Sequence, residues 1–378
     1  MSQRPRLSRQ YWEGIYAVDF TLDGVRLRCH QLGQALLAQQ WSCLVAHDTR
    51  FMAGQFARYV YRSLEEQRVP VSFCPDPAPF PSIELALGQR RADTALLISA
   101  RNQPFWYNGM VLVTPPSDHL PLVLDPACAP PDAATLPFPP PPLDPADRTR
   151  LDLRTPYLEA LRNAIDIELI RHATLTVFVD PMNGTTSGYL PAAIGDGGQT
   201  KAIEINREID PLFGRQPPQP TEAGLQRLRK LVKESDSHLG VALSADGRAL
   251  SAADSTGELV SPHDLALLLA DYLNREYRQR GLVVMPPPGD ADTAALHSWE
   301  AATGLRVEFH ADPAGRIADL LAHDRNSLLV GVTAAGEVTL GRYGASPDAV
   351  LVALLLIEIA ARFGSKLRVL VEQVKRRP

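Results

Sequence analysis

Residues 99–109, SARNQPFWYNG, follow a short apolar run at 96–98 and end in the turn pair Asn108-Gly109. Loops at the carboxyl ends of buried strands are where open α/β sheets place chemistry. This loop offers Ser99, Arg101 and Asn102, but no histidine or acid stands beside the serine to act as its base. Arg101 brings a permanent cation with five N–H donors and no acceptor, a group that grips phosphate or carboxylate through paired hydrogen bonds. With Arg50, in HDTRF at 47–51, it is a candidate anion donor. The alternative is an ion pair between Arg101 and an internal acid, with Glu13 as the acid to consider.

Other residues that could do chemistry are sparse. The nine histidines form neither an HExxH motif nor an i, i+4 pair with one another, so each reads as structural or surface. The segment VALSADGRALSAAD at 241–254 holds Asp246 as its single carboxylate before Asp254, with Arg248 close by. It reads as a solvent-exposed turn at ADGR. VGVTAAGEV at 330–338 reads as a plain β-turn. Cys29, Cys43, Cys74 and Cys128 have no close spacing and read as core or surface thiols of a reducing cytoplasm.

The elements that must position these residues follow from patterning. The 378 residues are 45% hydrophobic, enough for two or three domains with ordinary cores. A net charge of −5 gives no steering toward nucleic acid or an anionic membrane. The amino terminus has charge without an apolar run, so no signal peptide is expected. The longest apolar run, VLVALLLI at 350–357, is too short for a bilayer and predicts a helix buried against a sheet. The prolines concentrate in PFPPPPLDP at 137–145, the best linker, with a second cluster, MPPPG, at 285–289.

Between these marks strands and helices alternate. WSCLVAHD, VPVSFCP and TALLIS read as strands around the helix GQFARYVYRSLEEQ, whose Phe56, Tyr59, Val60 and Leu64 share a face. After the linker come the strands TLTVFVDP, KAIEI and LGVAL, with a helix capped by Thr221 and a long helix from His263. A third round runs from LVVMPPP to a helix started by Pro347 and stopped by Gly364. Such series imply parallel or mixed sheets with helices on both faces.

Several motifs, in order, resemble one family. YWEGIYAVDFT at 11–21, HDTRF, SARNQPFWYNG, VDPMNG at 179–184, DPLFG at 210–214 and GELVSPHDLALLLADYL at 257–273 are similar to the bacterial α-D-phosphohexomutases. The resemblance implies an α/β fold of three consecutive phosphohexomutase-type domains with mixed sheets flanked by helices. Domain I would span 1–142, a proline-rich linker 143–150, domain II 151–258 and domain III 259–378, and the family's fourth, phosphate-binding domain is expected to be absent. It also implies a phosphoserine that exchanges phosphoryl groups with a sugar phosphate, a magnesium ion held by three aspartates, and a loop that grips sugar hydroxyls.

On that alignment each functional part is altered. Arg101 stands at the nucleophile, with Ser99 two residues before it and Asn102 after it. Ser244, Asp246 and Arg248 stand at the three metal-binding aspartates, so magnesium is not expected to be held. Thr333, Ala334 and Ala335 replace the sugar-gripping residues, and Glu13 replaces a phosphate-contacting arginine. A guanidinium has no lone pair with which to attack phosphorus. The chain is therefore expected to be a catalytically inactive phosphohexomutase homologue, a cytoplasmic binding or scaffold protein. Its expected partners are an active phosphohexomutase or another cytoplasmic protein, with weak phosphate or phosphosugar binding through Arg50 and Arg101 and no nucleic acid or membrane. Completing a site in trans is a further role considered. The competing expectation is a residual phosphosugar mutase.

Overall fold

The computed structural model describes residues 7–116, 123–124, 149–288, 293–344 and 346–375. The segment 137–145, the linker up to residue 148, His119, Cys128 and Gly289 lie outside the described residues. The chain divides into two compact units. One comprises Met1–Tyr157, Asn183–Thr185 and Ile209–Pro218, and the other comprises Leu158–Met182, Thr186–Glu208 and Gln219–Pro378.

The first unit runs β1 (Ser8–Ile15), α1 (Leu22–Gln39), β2 (Cys43–His47), α2 (Ala53–Glu66), β3 (Val71–Phe73), α3 (Phe80–Gly88), β4 (Thr94–Ile98) and β5 (Tyr107–Thr114). Its sheet has the order β1-β5-β4-β2-β3. β2 runs parallel to β3 and β4, while β5 is antiparallel to both β4 and β1. Helices cover both faces, so β2 and β4 read as unbroken apolar runs instead of alternating. Val45, Leu96 and Ile98 pack with Val25 and Leu36 of α1 and Val60 and Leu64 of α2. Leu44, Leu97 and Val111 pack with Phe80, Ile83 and Leu87 of α3. Cys29, Cys43 and Cys74 are buried free thiols, and burial pushes Cys43 and Cys74 up to about 12. Both therefore stay protonated and unreactive at neutral pH.

The elements after β5 are α4 (Arg154–Ala164), α5 (Ile167–His172), β6 (Thr176–Asp180), α6 (Tyr189–Ile194), β7 (Lys201–Glu204), α7 (Gln226–Glu234), β8 (Leu239–Leu243), β9 (Leu250–Ala253) and α8 (Pro262–Tyr277). They continue with β10 (Leu282–Met285), α9 (Thr293–Thr303), β11 (Arg306–Phe309), α10 (Pro313–His323), β12 (Leu328–Val332), β13 (Val338–Leu340), α11 (Ala349–Phe363) and α12 (Leu367–Lys375). Two four-stranded sheets result, β7-β6-β8-β9 and β11-β10-β12-β13. In each, the first strand pairs in parallel with the second and third, and the fourth returns antiparallel. Strands β2 to β5 have the same order and directions, with β1 added beyond β5. The turns between third and fourth strands, 99–106, 244–249 and 333–337, are thus equivalent points in three copies of one topology.

Two helix starts differ from the sequence reading. Thr221 makes no side-chain cap; a 3-10 turn at Glu222–Leu225 comes first, closed by Gly224 N donating to the Thr221 carbonyl at 3.0 Å, and α7 starts at Gln226. α11 begins after Asp348, not at Pro347, because the Asp348 carboxylate accepts from Leu351 N at 3.0 Å. Gly364 ends it in the left-handed region, as expected. α11 is buried along 349–360 and packs on β8, β9, α5 and α6, so the helix after the third sheet covers the second. Among the described residues no helix is long and apolar enough to cross a membrane.

Glu358 sits fully buried in this apolar helix and is satisfied by three donors. The hydroxyls of Tyr272 and Tyr277 each donate to its Oε1 at 2.6 Å, and Asp166 N donates to Oε2 at 3.2 Å. Burial and the Glu358 charge both push the two phenols above their usual range, keeping them protonated as donors. Glu358→Ala strands those donors and is expected to cost about 3 kcal/mol or more in urea unfolding, at about 1–3 kcal/mol per unsatisfied buried group. Glu358→Gln should retain most of that stability.

His238, just before β8, accepts from Thr176 N through Nδ1 at 3.2 Å. Burial, with Lys366 second, lowers its affinity for a proton, against a smaller opposite pull from Asp236. Lys366 itself pairs with Asp236. The unfolded chain thus takes up this proton first, near the ordinary histidine value of about 6.5, and stability falls as pH drops through that value toward the lower folded one. Well above pH 6.5 the group contributes no slope. Urea unfolding at a series of pH values should show a steeper acid-side loss in the wild type than in His238→Gln.

Candidate functional site

The loop after β4 is organised from beneath by Arg50. Its Nε donates to Asp48 Oδ2 at 3.2 Å. Nη1 donates to the carbonyls of Pro104 and Tyr107 at 2.8 and 3.1 Å, and Nη2 to those of Arg101 and Gln103 at 2.8 and 2.7 Å. The guanidinium also lies 5.1 Å from the ring centre of Phe213, in the DPLFG segment. Each of its five N–H groups therefore has a protein acceptor. The expectation of Arg50 as an anion donor is corrected accordingly: the side chain is buried and engaged in shaping the loop.

Asp48 is buried beside it and accepts from Arg50 N at 2.9 Å and from the Ser99 hydroxyl. Burial pushes the Asp48 carboxyl up, opposed by Arg50 and by the Ser99 bond. Ser99 is fully buried, and its oxygen accepts from Arg101 N at 3.0 Å. Gly109 allows the strands to close around this point, since a Cβ there would lie 2.7 Å from the Ser99 carbonyl and 2.8 Å from that of Trp12.

Arg101 has φ of 48°, a left-handed conformation that is costly for a side-chain-bearing residue. The bonds to its amide and carbonyl hold it there. Its side chain turns onto β1, where residues 11, 13 and 15 share a face by strand alternation. Nε donates to Glu13 Oε1 at 2.6 Å, and the guanidinium lies 4.1 Å from the ring centre of Tyr11. Gln103 Nε2 donates to the other Glu13 oxygen at 3.3 Å. Of the two readings of Arg101, the ion pair with Glu13 is the one observed. Asn102 is exposed.

The second turn is closed by its own side chains. Ser244 Oγ donates to Asp246 Oδ1 at 2.6 Å and accepts from Arg248 N and Ala249 N at 3.1 and 2.9 Å. Asp246 Oδ1 also accepts from Arg248 N at 3.1 Å. Ser244 and Asp246 are both buried, which corrects the reading of ADGR as a solvent-exposed turn. These residues do not fit a magnesium ion. The turn supplies one carboxylate, with the oxygen that accepts these bonds already committed, beside a guanidinium.

The third turn is a tight hairpin. Thr333 N donates to the Glu337 carbonyl and Gly336 N to the Thr333 carbonyl, both at 3.0 Å, and Ala334 and Ala335 stand exposed with no polar group to offer. It is joined to the second turn. Arg248 Nη2 pairs with Glu337 Oε1 at 3.3 Å, and Leu250 N donates to the Gly336 carbonyl at 2.9 Å. This junction was not foreseen, since residues 248 and 337 are distant in the chain.

Comparison with known proteins gives a consistent picture. The family models described as phosphoglucomutase/phosphomannomutase alpha/beta/alpha domain I and domain II match residues 9–118 and 155–257. A phosphoglucomutase/phosphomannomutase of Thermococcus kodakarensis is 25% identical over 304 residues, covering 79% of this chain and 64% of that protein. The chain thus spans just under two thirds of that relative. A phosphoglucosamine mutase of Chromohalobacter salexigens is 25% identical over 339 residues, covering 89% of this chain and 72% of its own. A phosphomannomutase-type crystal structure from Thermus thermophilus superposes with a TM-score of 0.82 at 24% identity, covering 99% of this chain and 84% of that one.

Arg50→Ala would leave the buried Asp48 carboxylate without its charge partner and four loop carbonyls without their donor. Breaking a buried pair in this way costs about 3–5 kcal/mol, a loss to be read from urea unfolding. Arg50→Lys, with three donors in place of a planar fork of five, should recover only part of it.

Proposed function

The chain belongs to the α-D-phosphohexomutases, the phosphoglucomutase/phosphomannomutase family, and we propose that it is a non-catalytic member that works by binding. What supports this reading is Arg101, the residue that the sequence resemblance sets at the family's transfer serine. Arg101 is protonated at any working pH, has no lone pair to offer phosphorus, and is already paired with Glu13. Loss of a covalent nucleophile alone removes on the order of 10⁶ in rate. The unfitted metal turn and the apolar sugar turn point the same way, because electrostatic and positioning contributions go with them. The reading includes a cytoplasmic location and a partner that is either an active phosphohexomutase or another cytoplasmic protein.

A second reading, a residual phosphosugar mutase, is favoured by the relatives, which are mutases by name. It would rest on Ser99, which donates to Asp48, a carboxylate that could take its proton. Burial weighs against it, since Ser99 has no exposed surface from which to reach a phosphosugar.

A coupled assay on the full chain, with magnesium and glucose-1,6-bisphosphate as primer, separates the two. Glucose-1-phosphate, mannose-1-phosphate and glucosamine-1-phosphate should all turn over at the protein-free rate. Turnover that vanishes in Ser99→Ala would overturn the non-catalytic reading.

A further inference from the structure

His47, the last residue of β2, is 7% exposed, and each of its ring nitrogens faces a backbone carbonyl. Nδ1 lies 2.8 Å from the Asp48 oxygen and Nε2 lies 3.2 Å from the Pro75 oxygen. A carbonyl can only accept. A neutral imidazole carries one N–H and one lone pair, so it can serve one of these two oxygens and turns its lone pair on the other. The imidazolium serves both.

The Pro75 carbonyl belongs to the loop that joins β3 to α3. Cys74 N donates to the Val45 carbonyl at 2.9 Å and Ala78 N to the His47 carbonyl at 3.0 Å, and these backbone bonds are the same at any pH. Pro75, Pro77 and Pro79 have no N–H with which to add to them. The side chain of His47 is therefore the part of this junction that a proton can change.

The charges around the ring come from four directions. Its own turn brings Asp48 and Arg50, which pair with each other. Burial pushes the Asp48 carboxyl up, and a positive ring at His47 pulls against that. α2 brings Arg58: a Cβ on Gly54 would lie 3.5 Å from His47 Nε2 and 3.7 Å from Arg58 Nη1, so a cation shares the space beside the ring and opposes the second proton. The loop after β3 brings exposed Asp76, and also Cys74, whose burial keeps it neutral. α3 contributes one acid, Glu84, which is paired with Arg9, and β4 sets apolar Ile98 opposite His47.

We propose that His47 is a proton-operated clamp on the loop after β3. With one proton, held on Nδ1 by the closer carbonyl, it fastens its own turn alone. With a second, on Nε2, it also fastens the Pro75 carbonyl to the end of β2. The clamp closes as pH falls through the range in which histidines take up a proton, from about 8 to about 5. It is a property of the first sheet and goes beyond the binding role proposed above.

Nitrogen-15 NMR of the full chain labelled at histidine tests it, with His47→Gln identifying the signal. At about pH 8 the His47 ring should be the Nδ1–H tautomer, opposite to the Nε2–H form that free histidine favours, and at about pH 5 both nitrogens should carry protons. Exchange of the Ala78 amide, corrected for the direct effect of pH, should be roughly fivefold slower at the acid end, the worth of one hydrogen bond. His47→Gln, with one donor and one acceptor at every pH, should bring that ratio to one. An Nε2–H tautomer, a ring that stays neutral through the acid end, or an Ala78 ratio unchanged in His47→Gln would each overturn the proposal. Should that variant fail to fold, the wild-type tautomer and its protonation decide.

Discussion

An arginine guanidinium cannot shed its proton at any pH at which this protein is folded, so the loop after β4 is built around a fixed positive charge. Glu13 answers that charge from the neighbouring edge of the sheet, and Tyr11 covers the guanidinium plane. The pair is only partly exposed, so its attraction is less screened than that of a surface pair. Removing either partner would leave the other charge in a poorly hydrated site. Arg50 supplies the second half of the design. It fastens four carbonyls of the same loop to Asp48, and the loop therefore keeps a left-handed arginine at its head.

The same logic recurs at the equivalent turns of the other two sheets. Three copies of one strand order bring three hairpin turns to corresponding positions. In the first two, the charged side chains are taken up by partners within the protein. Asp246 is occupied by Ser244 and by the amide of Arg248, and Arg248 and Glu337 tie the second turn to the third. Asp180 and Asp210 keep a simpler task. They accept from amides two residues on, at 2.9 Å, and so hold the DP turns in shape. Short Asp and Pro turns thus serve backbone geometry, while the charged side chains of the first two turns satisfy partners within the protein.

Much of this was legible in the sequence because it is local or periodic. The doubly buried strands announced themselves as apolar runs, and α2 as a helix with one apolar face. Glu13 as an ion-pair partner for Arg101 followed from residue chemistry, and that pair is observed. What escaped was non-local. Arg50 read as a free anion donor because nothing nearby reveals that the loop about 50 residues later points four carbonyls at it. The Arg248–Glu337 junction depends on two sheets whose packing no window of sequence contains. The start of α1 is signalled locally by Thr21, whose side chain accepts from Gly24 N before the first turn. Glu358 was also readable in principle: a lone carboxylate in an apolar helix must find donors. The DPLFG segment lies between elements of the second unit in sequence, yet it belongs to the first, with Phe213 under Arg50.

The non-catalytic proposal requires that no hydroxyl of the loop around Arg101 take up a phosphoryl group. Intact-mass and phosphopeptide spectrometry after incubation with glucose-1,6-bisphosphate and magnesium tests it most directly. An unmodified chain is the result predicted. A phosphoryl group covalently held on Ser99, or on any other hydroxyl of the chain, and discharged by glucose-1-phosphate would contradict it.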